Sequence, residues 1–189
     1  MYRIYYFSGV DRMTESDFNE VMTVLPEERR KKALRYVNDR DRRLSAVSYM
    51  LLIYGMKECF GIVDFEIDFT EHGKPYIKDH SGVYFNISHS GDECVCIVSD
   101  KEIGIDIQLI GKYNPKTAEY VCSDHELDLI ENSNDKAAEF TRIWTIKESY
   151  VKYTGNGISS DLKKIDTMLL KDKVKTTRTG NVYMSVVGI

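Results

Sequence analysis

The sequence predicts an α+β fold, because strand-like and helix-like hydrophobic patterns both recur along its 189 residues. In residues 103–108 isoleucine alternates with small or polar residues, which is the pattern of a strand with one buried face. Leu44, Val47, Leu51 and Tyr54 repeat at helical spacing and predict a helix that packs on the core through one stripe. Turn-forming residues separate these segments.

Length and composition indicate a soluble globular protein of one domain or two small lobes. Hydrophobic residues make up 42% of the chain, and the net charge of −4 argues against a general nucleic-acid or anionic-membrane binder. No apolar run approaches the ~18 residues of a membrane span, and no signal-like segment is present, so we expect a cytoplasmic protein that binds no membrane. The cysteines lack metal or disulfide spacing and are expected to be reduced.

The first half begins with a predicted strand at residues 3–7, followed by two helices. Pro26 and the acids after it predict a helix from there to about Val37, since proline suits the first turn and acidic side chains suit its positive end. Asn38 is a cap signal for the second helix, which we expect to end near Gly61.

Eight cations lie close together on these two helices. They are Arg29, Arg30, Lys31, Lys32, Arg35, Arg40, Arg42 and Arg43. About half of them are expected to form an ordinary solvated helix face. In an acidic protein, the others are suited to a phosphate-rich ligand or an acidic partner protein.

The middle of the chain predicts strands at residues 65–69, 83–87 and 94–98, with a turn after the first. The last two strands are expected to form a hairpin whose loop presents Ser88 and His89. A nucleophilic Ser88 is one interpretation, but the Gly-x-Ser-x-Gly elbow of serine hydrolases is missing. A hydroxyl and an imidazole at a loop tip are equally suited to hold a phosphate.

The second half predicts a short helix within residues 115–130, then a longer helix, then a terminal hairpin. The longer helix is capped by residues 133–135 and ends at residues 155–157. The hairpin joins strands at residues 174–177 and 182–187.

A candidate metal and phosphate site combines the isoleucine-rich strand with the longer helix. Asp106 and Glu148 offer the hard oxygen ligands that Mg²⁺ prefers, and Lys147 and Lys152 could bind a polyphosphate. Trp144, Glu148 and Lys152 recur every four residues and form one helix ridge. Taken alone, these residues favour a simpler interpretation, in which Glu148 and Lys152 form a surface ion pair and Asp106 ends a strand.

Two spaced motifs change this interpretation. Ile-Gly-Ile-Asp at residues 103–106 and Trp-x-x-Lys-Glu-Ser-x-x-x-Lys at residues 144–152 together resemble the signature of the 4′-phosphopantetheinyl transferases. Further matches, to the Sfp type of this family, lie at residues 26–27, 73–75 and 85–90. The resemblance implies two related α/β lobes about a pseudo-twofold axis, with coenzyme A between them. The lobes would be residues 1–101 and a short second lobe of residues 102–189.

The resemblance also implies roles for individual residues. Asp106 and Glu148 would bind Mg²⁺, with Gln108 as a weak or water-mediated ligand where many relatives have glutamate. Asp106, Glu148 and Lys152 would form the catalytic set, with Lys152 on the pyrophosphate and Glu148 accepting a proton. The residues implied to hold coenzyme A are Arg29, Lys32, Arg43, Ser45, Lys74, Ser88, His89 and Lys152.

The implied reaction is the Mg²⁺-dependent transfer of the 4′-phosphopantetheine arm of coenzyme A to a serine of an apo acyl or peptidyl carrier protein, with release of adenosine 3′,5′-bisphosphate. The carrier could serve fatty-acid, polyketide or nonribosomal peptide synthesis, and we expect a monomer. Two alternatives stay open. One is a non-catalytic coenzyme- or carrier-binding module of the same fold, and the other is an Mg²⁺-dependent pyrophosphate hydrolase.

Overall fold

The computed structural model describes residues 1–157 and 161–189 and confirms the predicted mixture of helices and strands. The helices are α1 (Glu15–Val24), α2 (Glu27–Leu34), α3 (Asp39–Phe60), α4 (Pro115–Val121), α5 (Asp124–Glu131) and α6 (Lys136–Thr154). The strands are β1 (Tyr2–Ser8), β2 (Ile67–Phe69), β3 (Pro75–Ile77), β4 (Tyr84–Ser90), β5 (Glu93–Ser99), β6 (Gly104–Leu109), β7 (Val174–Thr179) and β8 (Val182–Val187). Short 3-10 helices lie at Val10–Arg12, Leu162–Lys164 and Thr167–Leu170.

Two three-stranded antiparallel sheets with the same topology form the framework. Their strand orders are β1-β5-β4 and β6-β8-β7, so in each half the first strand pairs with the last one, which closes a hairpin. A long helix, α3 or α6, lies between the first strand and that hairpin in the chain. This repeated order of elements is the one expected of two related lobes. The boundary after residue 101 stays a prediction, and it falls in the short connection between β5 and β6.

Strands β4 and β6 meet along a seam made of side chains. Alternate residues of β4 accept hydrogen bonds from alternate backbone N–H groups of β6. The three bonds run from Ile105 to Asn86 Oδ1 at 3.1 Å, from Ile107 to Ser88 Oγ at 3.3 Å and from Leu109 to Ser90 Oγ at 3.0 Å. Polar side chains therefore satisfy the N–H groups of β6 on the edge that faces the first sheet.

The core between the two sheets confirms the predicted inward face of the isoleucine-rich strand. Ile103, Ile105 and Ile107 are at most 1% exposed and pack with Val95 and Val186. Two further clusters lie beneath α3 and among α4 to α6. Within the described ranges, each helix is too short or too polar to cross a membrane.

Several predicted elements differ from the structure. Helix α2 ends at Leu34 rather than near Val37, because Asn38 adopts the extended backbone of an N-cap and accepts a hydrogen bond from Arg40 N–H. Helix α1 was not predicted, although Thr14 and Asp17 form a capping box that the sequence displays.

Other differences concern the lengths of elements. The predicted strand at residues 65–69 is reduced to β2, and the following segment, predicted as a turn, enters β3 at Pro75. Proline is tolerated there because it is the first residue of a strand. The single short helix predicted within residues 115–130 is two helices, since Ser123 caps α5 after an extended Cys122.

The predicted placement of Ser88 and His89 at a loop tip was wrong. Both residues belong to β4, where Ser90 pairs with Glu93, so the turn consists of Gly91 and Asp92 alone. Gly91 has a φ of 63°, which such a tight turn requires. Successive residues of a strand point to opposite faces, and Ser88 and His89 are therefore separated by the strand itself.

Candidate active site

A glycine brings the two motifs into contact. A Cβ atom on Gly104 would lie 2.2 Å from the carbonyl oxygen of Ser149 and 2.5 Å from the backbone nitrogen of Tyr153. Helix α6 can therefore approach β6 this closely only when residue 104 has no side chain. The approach places Asp106, two residues along β6, beside the C-terminal half of α6.

Asp106 is buried, with 5% of its surface exposed, and its two oxygens have different surroundings. Oδ1 accepts hydrogen bonds from Lys152 Nζ and from Ser88 Oγ, both at 2.7 Å. Oδ2 is shielded from solvent and has no hydrogen-bond donor among the described residues. The simpler interpretation of a surface Glu148–Lys152 pair is wrong, because Lys152 binds Asp106.

Glu148 is half-buried, one helical turn before Lys152 on α6. Loss of hydration raises its pKa, the negative charge of Asp106 raises it further, and the charge of Lys152 opposes both effects. Asp106 and Glu148 are thus close enough to repel each other. A cation bound between them would relieve this repulsion.

These two carboxylates fit a hard divalent cation such as Mg²⁺. A buried carboxylate oxygen without a donor is costly, and a metal ion would satisfy Asp106 Oδ2. Within residues 1–157 and 161–189 no group of three or more His, Cys, Asp and Glu side chains is arranged to hold a metal. The other ligands would have to be water, an amide or substrate oxygens.

A cleft of about 360 Å³ has Lys152, the partner of Asp106, in its lining. Its walls come from both halves of the chain, namely α2, α3, β2, β3 and β4 of the first half and α6 of the second. Its lining includes Arg29, Lys32, Ser45, His89 and Lys152, which can bind an anion, and one acidic residue, Asp41. A cleft with this lining is suited to a phosphate-bearing ligand.

Two of the cations that line the cleft, Arg29 and Lys32, come from the first half of the chain. The guanidinium of Arg29 lies over the ring of Tyr49, 4.3 Å from its centroid, which fixes the orientation of the charge. Burial lowers the pKa of Lys32, and the neighbouring charge of Arg29 lowers it further. An anion between Arg29 and Lys32 would offset both effects.

His89 faces the same cleft from β4. Loss of hydration among the surrounding side chains lowers the pKa of its imidazole, and the charge of Lys152 adds to this, against the opposing charges of Asp41 and Asp106. The imidazole is therefore neutral near pH 7 and can donate one hydrogen bond to a ligand.

Comparison with known proteins gives the same answer for both halves. Residues 102–186 match the family model described as "4'-phosphopantetheinyl transferase superfamily", and residues 12–102 match "4'-phosphopantetheinyl transferase, N-terminal". The chain is 30% identical to 4'-phosphopantetheinyl transferase Sfp of Bacillus subtilis (strain 168) over 86% of its own length and 75% of that protein. The chain belongs to the 4′-phosphopantetheinyl transferase superfamily. The match to Sfp places it in the Sfp type.

Other relatives of this superfamily member come from bacteria and yeast. It is 32% identical to 4'-phosphopantetheinyl transferase gsp of Aneurinibacillus migulanus over 75% of its own length and 60% of the relative. It is 28% identical to the L-aminoadipate-semialdehyde dehydrogenase-phosphopantetheinyl transferase of Saccharomyces cerevisiae over 80% of its own length and 61% of the relative. The alignments thus span about three fifths of these two relatives.

Lys147, which lies inside the family motif, is not a phosphate ligand in this superfamily member. Its side chain is fully buried and pairs with the equally buried Glu126 at 2.6 Å. The ammonium also donates to the carbonyl oxygens of Val121 and Leu162, each at 2.8 Å. Glu126 accepts three further hydrogen bonds, one from Ser123 N–H and two from Thr167. The pair ties α5 and α6 to the segment after α6.

Three residues that the resemblance implies for coenzyme A binding form ion pairs or hydrogen bonds with other residues of the protein. Lys74 Nζ pairs with Glu102 at 2.5 Å and donates to the carbonyl oxygen of Tyr153 at 2.7 Å. Arg43 lies 4.0 Å from Glu15 and is not part of the cleft lining. Ser88 is buried against Asp106 and does not face the cleft.

Gln108 lies on the same strand face as Asp106 but opens onto a different cleft. That cleft is lined by Gln108, Trp144 and Phe140, among others, and does not include Glu148 or Lys152. The amide of Gln108 makes a long hydrogen bond of 3.4 Å to the carbonyl oxygen of Leu109. The role of Gln108 at a metal stays a prediction.

Much of the basic cluster is neutralised locally. Lys31 pairs with Glu27 at 2.8 Å, and Arg40 pairs with Asp11 at 2.5 Å. Arg42 likewise lies 3.1 Å from Asp39. The expectation that about half of the cluster is an ordinary helix surface agrees with these pairs, and Arg29 and Lys32 are the members of the cluster that line the cleft.

Proposed function

We propose that this protein transfers the 4′-phosphopantetheine arm of coenzyme A to a serine hydroxyl of an apo acyl or peptidyl carrier protein, with Mg²⁺ as cofactor. The observation that carries this proposal is the unsatisfied oxygen of Asp106, which lies near Glu148 and Lys152 beside a cationic cleft. The names of the relatives support the same activity. The cytoplasmic location and the monomeric state stay predictions.

Asp106 Oδ2 and Glu148 would hold the cation, with Gln108 contributing at most weakly or through water. When bound, Mg²⁺ would stabilise the negative charge that grows on the leaving phosphate. Lys152, anchored by Asp106, would bind a pyrophosphate oxygen from the side of the cleft. Arg29, Lys32 and His89 would bind the 3′-phosphate of the coenzyme, with Ser45 as a neighbouring hydroxyl.

The chemical step would be an in-line displacement at the phosphorus that carries the pantetheine arm. The serine oxygen of the carrier forms a bond to this phosphorus, and the bond to the bridging oxygen breaks. That oxygen leaves with the electron pair on adenosine 3′,5′-bisphosphate. Glu148 takes the serine proton as the general base.

A serine hydrolase at Ser88 is contradicted by the structure. The Ser88 hydroxyl donates a hydrogen bond to Asp106, and His89 points to the other face of β4. The two alternatives share the site residues of the proposal. In the pyrophosphate hydrolase, water would replace the serine as acceptor. In the non-catalytic module, the ligand would bind without turnover. Experiment distinguishes them directly.

We expect an apo carrier protein incubated with the enzyme, coenzyme A and Mg²⁺ to gain the mass of one phosphopantetheine arm. The gain should disappear with EDTA, because without the cation the growing charge on the leaving phosphate is not stabilised and the two carboxylates repel it. Intact-mass spectrometry of several apo carriers, each with a serine-to-alanine control, makes the measurement. Coenzyme A cleavage without any carrier would favour the hydrolase, and coenzyme A binding without any turnover would favour the module.

Replacing Lys32 with alanine is expected to raise the KM for coenzyme A by about 10-fold or more, since one charge-assisted hydrogen bond is worth about 1.5–3 kcal/mol. Arg30, on the same helix but outside the cleft lining, provides the matched control. Arg30→Ala should leave this KM unchanged and instead raise the KM for the carrier, most clearly at low salt. Steady-state kinetics at two salt concentrations test both expectations. Equal KM values for coenzyme A in the two variants would contradict the placement of the 3′-phosphate beside Lys32.

A further inference from the structure

The middle bond of the seam between β4 and β6 differs from its neighbours. Asn86, Ser88 and Ser90 each accept a hydrogen bond from a backbone N–H of β6. Ser88 alone among the three is also bonded to Asp106, with its hydroxyl 2.7 Å from Oδ1. The side chain of Ser88 is thus connected to the backbone and to the proposed metal ligand of the same strand.

The direction of these bonds is determined by the chemistry of the groups. A serine hydroxyl has one hydrogen, and the N–H of Ile107 can only donate, so the hydroxyl accepts there and donates to the carboxylate. Two bonds to adjacent residues of β6 hold the hydroxyl in one orientation. Asp106 Oδ1 is in turn held by Ser88 from one side and Lys152 from another.

This arrangement decides which oxygen of Asp106 is left without a protein donor. With Oδ1 bound by two donors, Oδ2 is the oxygen that has none among the described residues. The Ser88 hydroxyl and the Lys152 ammonium together hold the plane of the carboxylate in one orientation, so the second oxygen keeps one direction. Hydrogen bonds of this kind commonly orient the carboxylates that bind metals.

We propose that Ser88 is a positioning residue, which holds Oδ1 of Asp106 so that Oδ2 faces the divalent cation. The inference rests on the proposed function, because that function supplies the cation. It replaces the contact with the 3′-phosphate that the sequence implies for Ser88. It also makes the seam a part of the site, since the first half of the chain then orients a ligand carried by the second half.

The test compares Ser88→Ala with Ser90→Ala. Both variants remove a hydroxyl that accepts from a β6 N–H, but only the first removes the bond to Asp106. Ser88→Ala is expected to raise the Mg²⁺ concentration for half-maximal transfer about 10-fold or more, the usual effect of losing such a partner. The KM for coenzyme A at saturating Mg²⁺ should stay near the wild-type value, and Ser90→Ala should match the wild type in both.

A second readout does not depend on activity. Mn²⁺ prefers the same oxygen ligands, and its binding to wild type and variants can be followed by electron paramagnetic resonance. The dissociation constant for Mn²⁺ should rise about 10-fold in Ser88→Ala and remain unchanged in Ser90→Ala. If Ser88→Ala does not fold, Ser88→Cys takes its place, because a thiol is a weaker donor of similar size, and a clear rise is expected there too.

Equal metal dependence in the Ser88 and Ser90 variants would overturn the inference. A raised KM for coenzyme A with unchanged metal dependence would also overturn it, and would restore Ser88 as a phosphate contact. Failure of the proposed function has a different signature, in which the wild type modifies no carrier. In that case the Mn²⁺ titration of the same variants still decides whether Ser88 orients Asp106.

Discussion

Replacing Glu148 with glutamine is expected to lower the rate of transfer by about 100-fold or more, the scale of losing a general base. Glutamine has the same shape, but it cannot accept the serine proton and brings no charge to the cation. Asp106 is not expected to take over this role, because Ser88 and Lys152 bind its Oδ1 and the cation would occupy its Oδ2. The measurement is single-turnover transfer to one carrier at saturating Mg²⁺ and coenzyme A.

Gln108 provides the matched control for this prediction. It lies on the same strand face as Asp106 but opens onto another cleft, so Gln108→Ala should cost much less than Glu148→Gln. Gln108→Glu should be tolerated, since it adds a carboxylate on the same strand face as Asp106. If Gln108→Ala and Glu148→Gln lost the same activity, the proposal that Asp106 and Glu148 are the two protein ligands of the cation would be wrong.

The pH dependence of the rate gives a further check on Glu148. Burial and Asp106 raise the pKa of this carboxyl, so the basic form accumulates at higher pH than in an ordinary glutamate. The rate of the wild type should therefore rise with pH through this pKa, and bound Mg²⁺ should shift the rise to lower pH. The profile of Glu148→Gln should lack this rise.

Replacing Lys147 with methionine is expected to lower the free energy of unfolding by about 3–5 kcal/mol, the usual cost of leaving one member of a buried ion pair alone. Lys147 and Glu126 are both 0% exposed, and the ammonium is fully used by Glu126 and two carbonyl oxygens. Methionine fills much of the same volume, so the loss would reflect the unpaired charge of Glu126 rather than a cavity.

Lys136→Met is the matched surface control. Lys136 pairs with Glu131, but both side chains are about half exposed, and such pairs contribute about 0–1 kcal/mol. Urea unfolding of both variants makes the comparison, with unchanged m values as the sign that the folded states are equally compact. Adding Glu126→Gln to Lys147→Met should recover part of the loss, because it removes the unpaired charge. A Lys147→Met loss as small as that of Lys136→Met would contradict the assigned role.

The two motifs show which structural features can be predicted from short-range sequence patterns. The alternation in β6 assigns the isoleucines to the core and Asp106 to the opposite face, and the structure confirms this. The helical spacing of Glu148 and Lys152 likewise predicts that they share one side of α6. These inferences succeed because side-chain direction within a strand or a helix follows from its fixed geometry.

The structure places Ser88 and Lys147 differently from what the motifs imply, for a related reason. The resemblance groups neighbouring residues into one motif, but neighbours on β4 face opposite sides and neighbours on α6 lie about 100° apart. Ser88 therefore contacts Asp106, while His89 lines the cleft. In the same way, Lys147 pairs with Glu126, while Glu148 lines a cleft together with Lys152. Neither partner is near in sequence.

By itself, the sequence determined the family, the mixture of helices and strands, and the pair of carboxylates, because each depends on residue types at fixed spacing. Only the tertiary structure decided which oxygen of Asp106 has no partner within residues 1–157 and 161–189, which cations reach the cleft and which are neutralised. Those outcomes depend on contacts between residues far apart in the chain. Such contacts form only when Gly104 lets α6 pack on β6 and the seam joins β6 to β4.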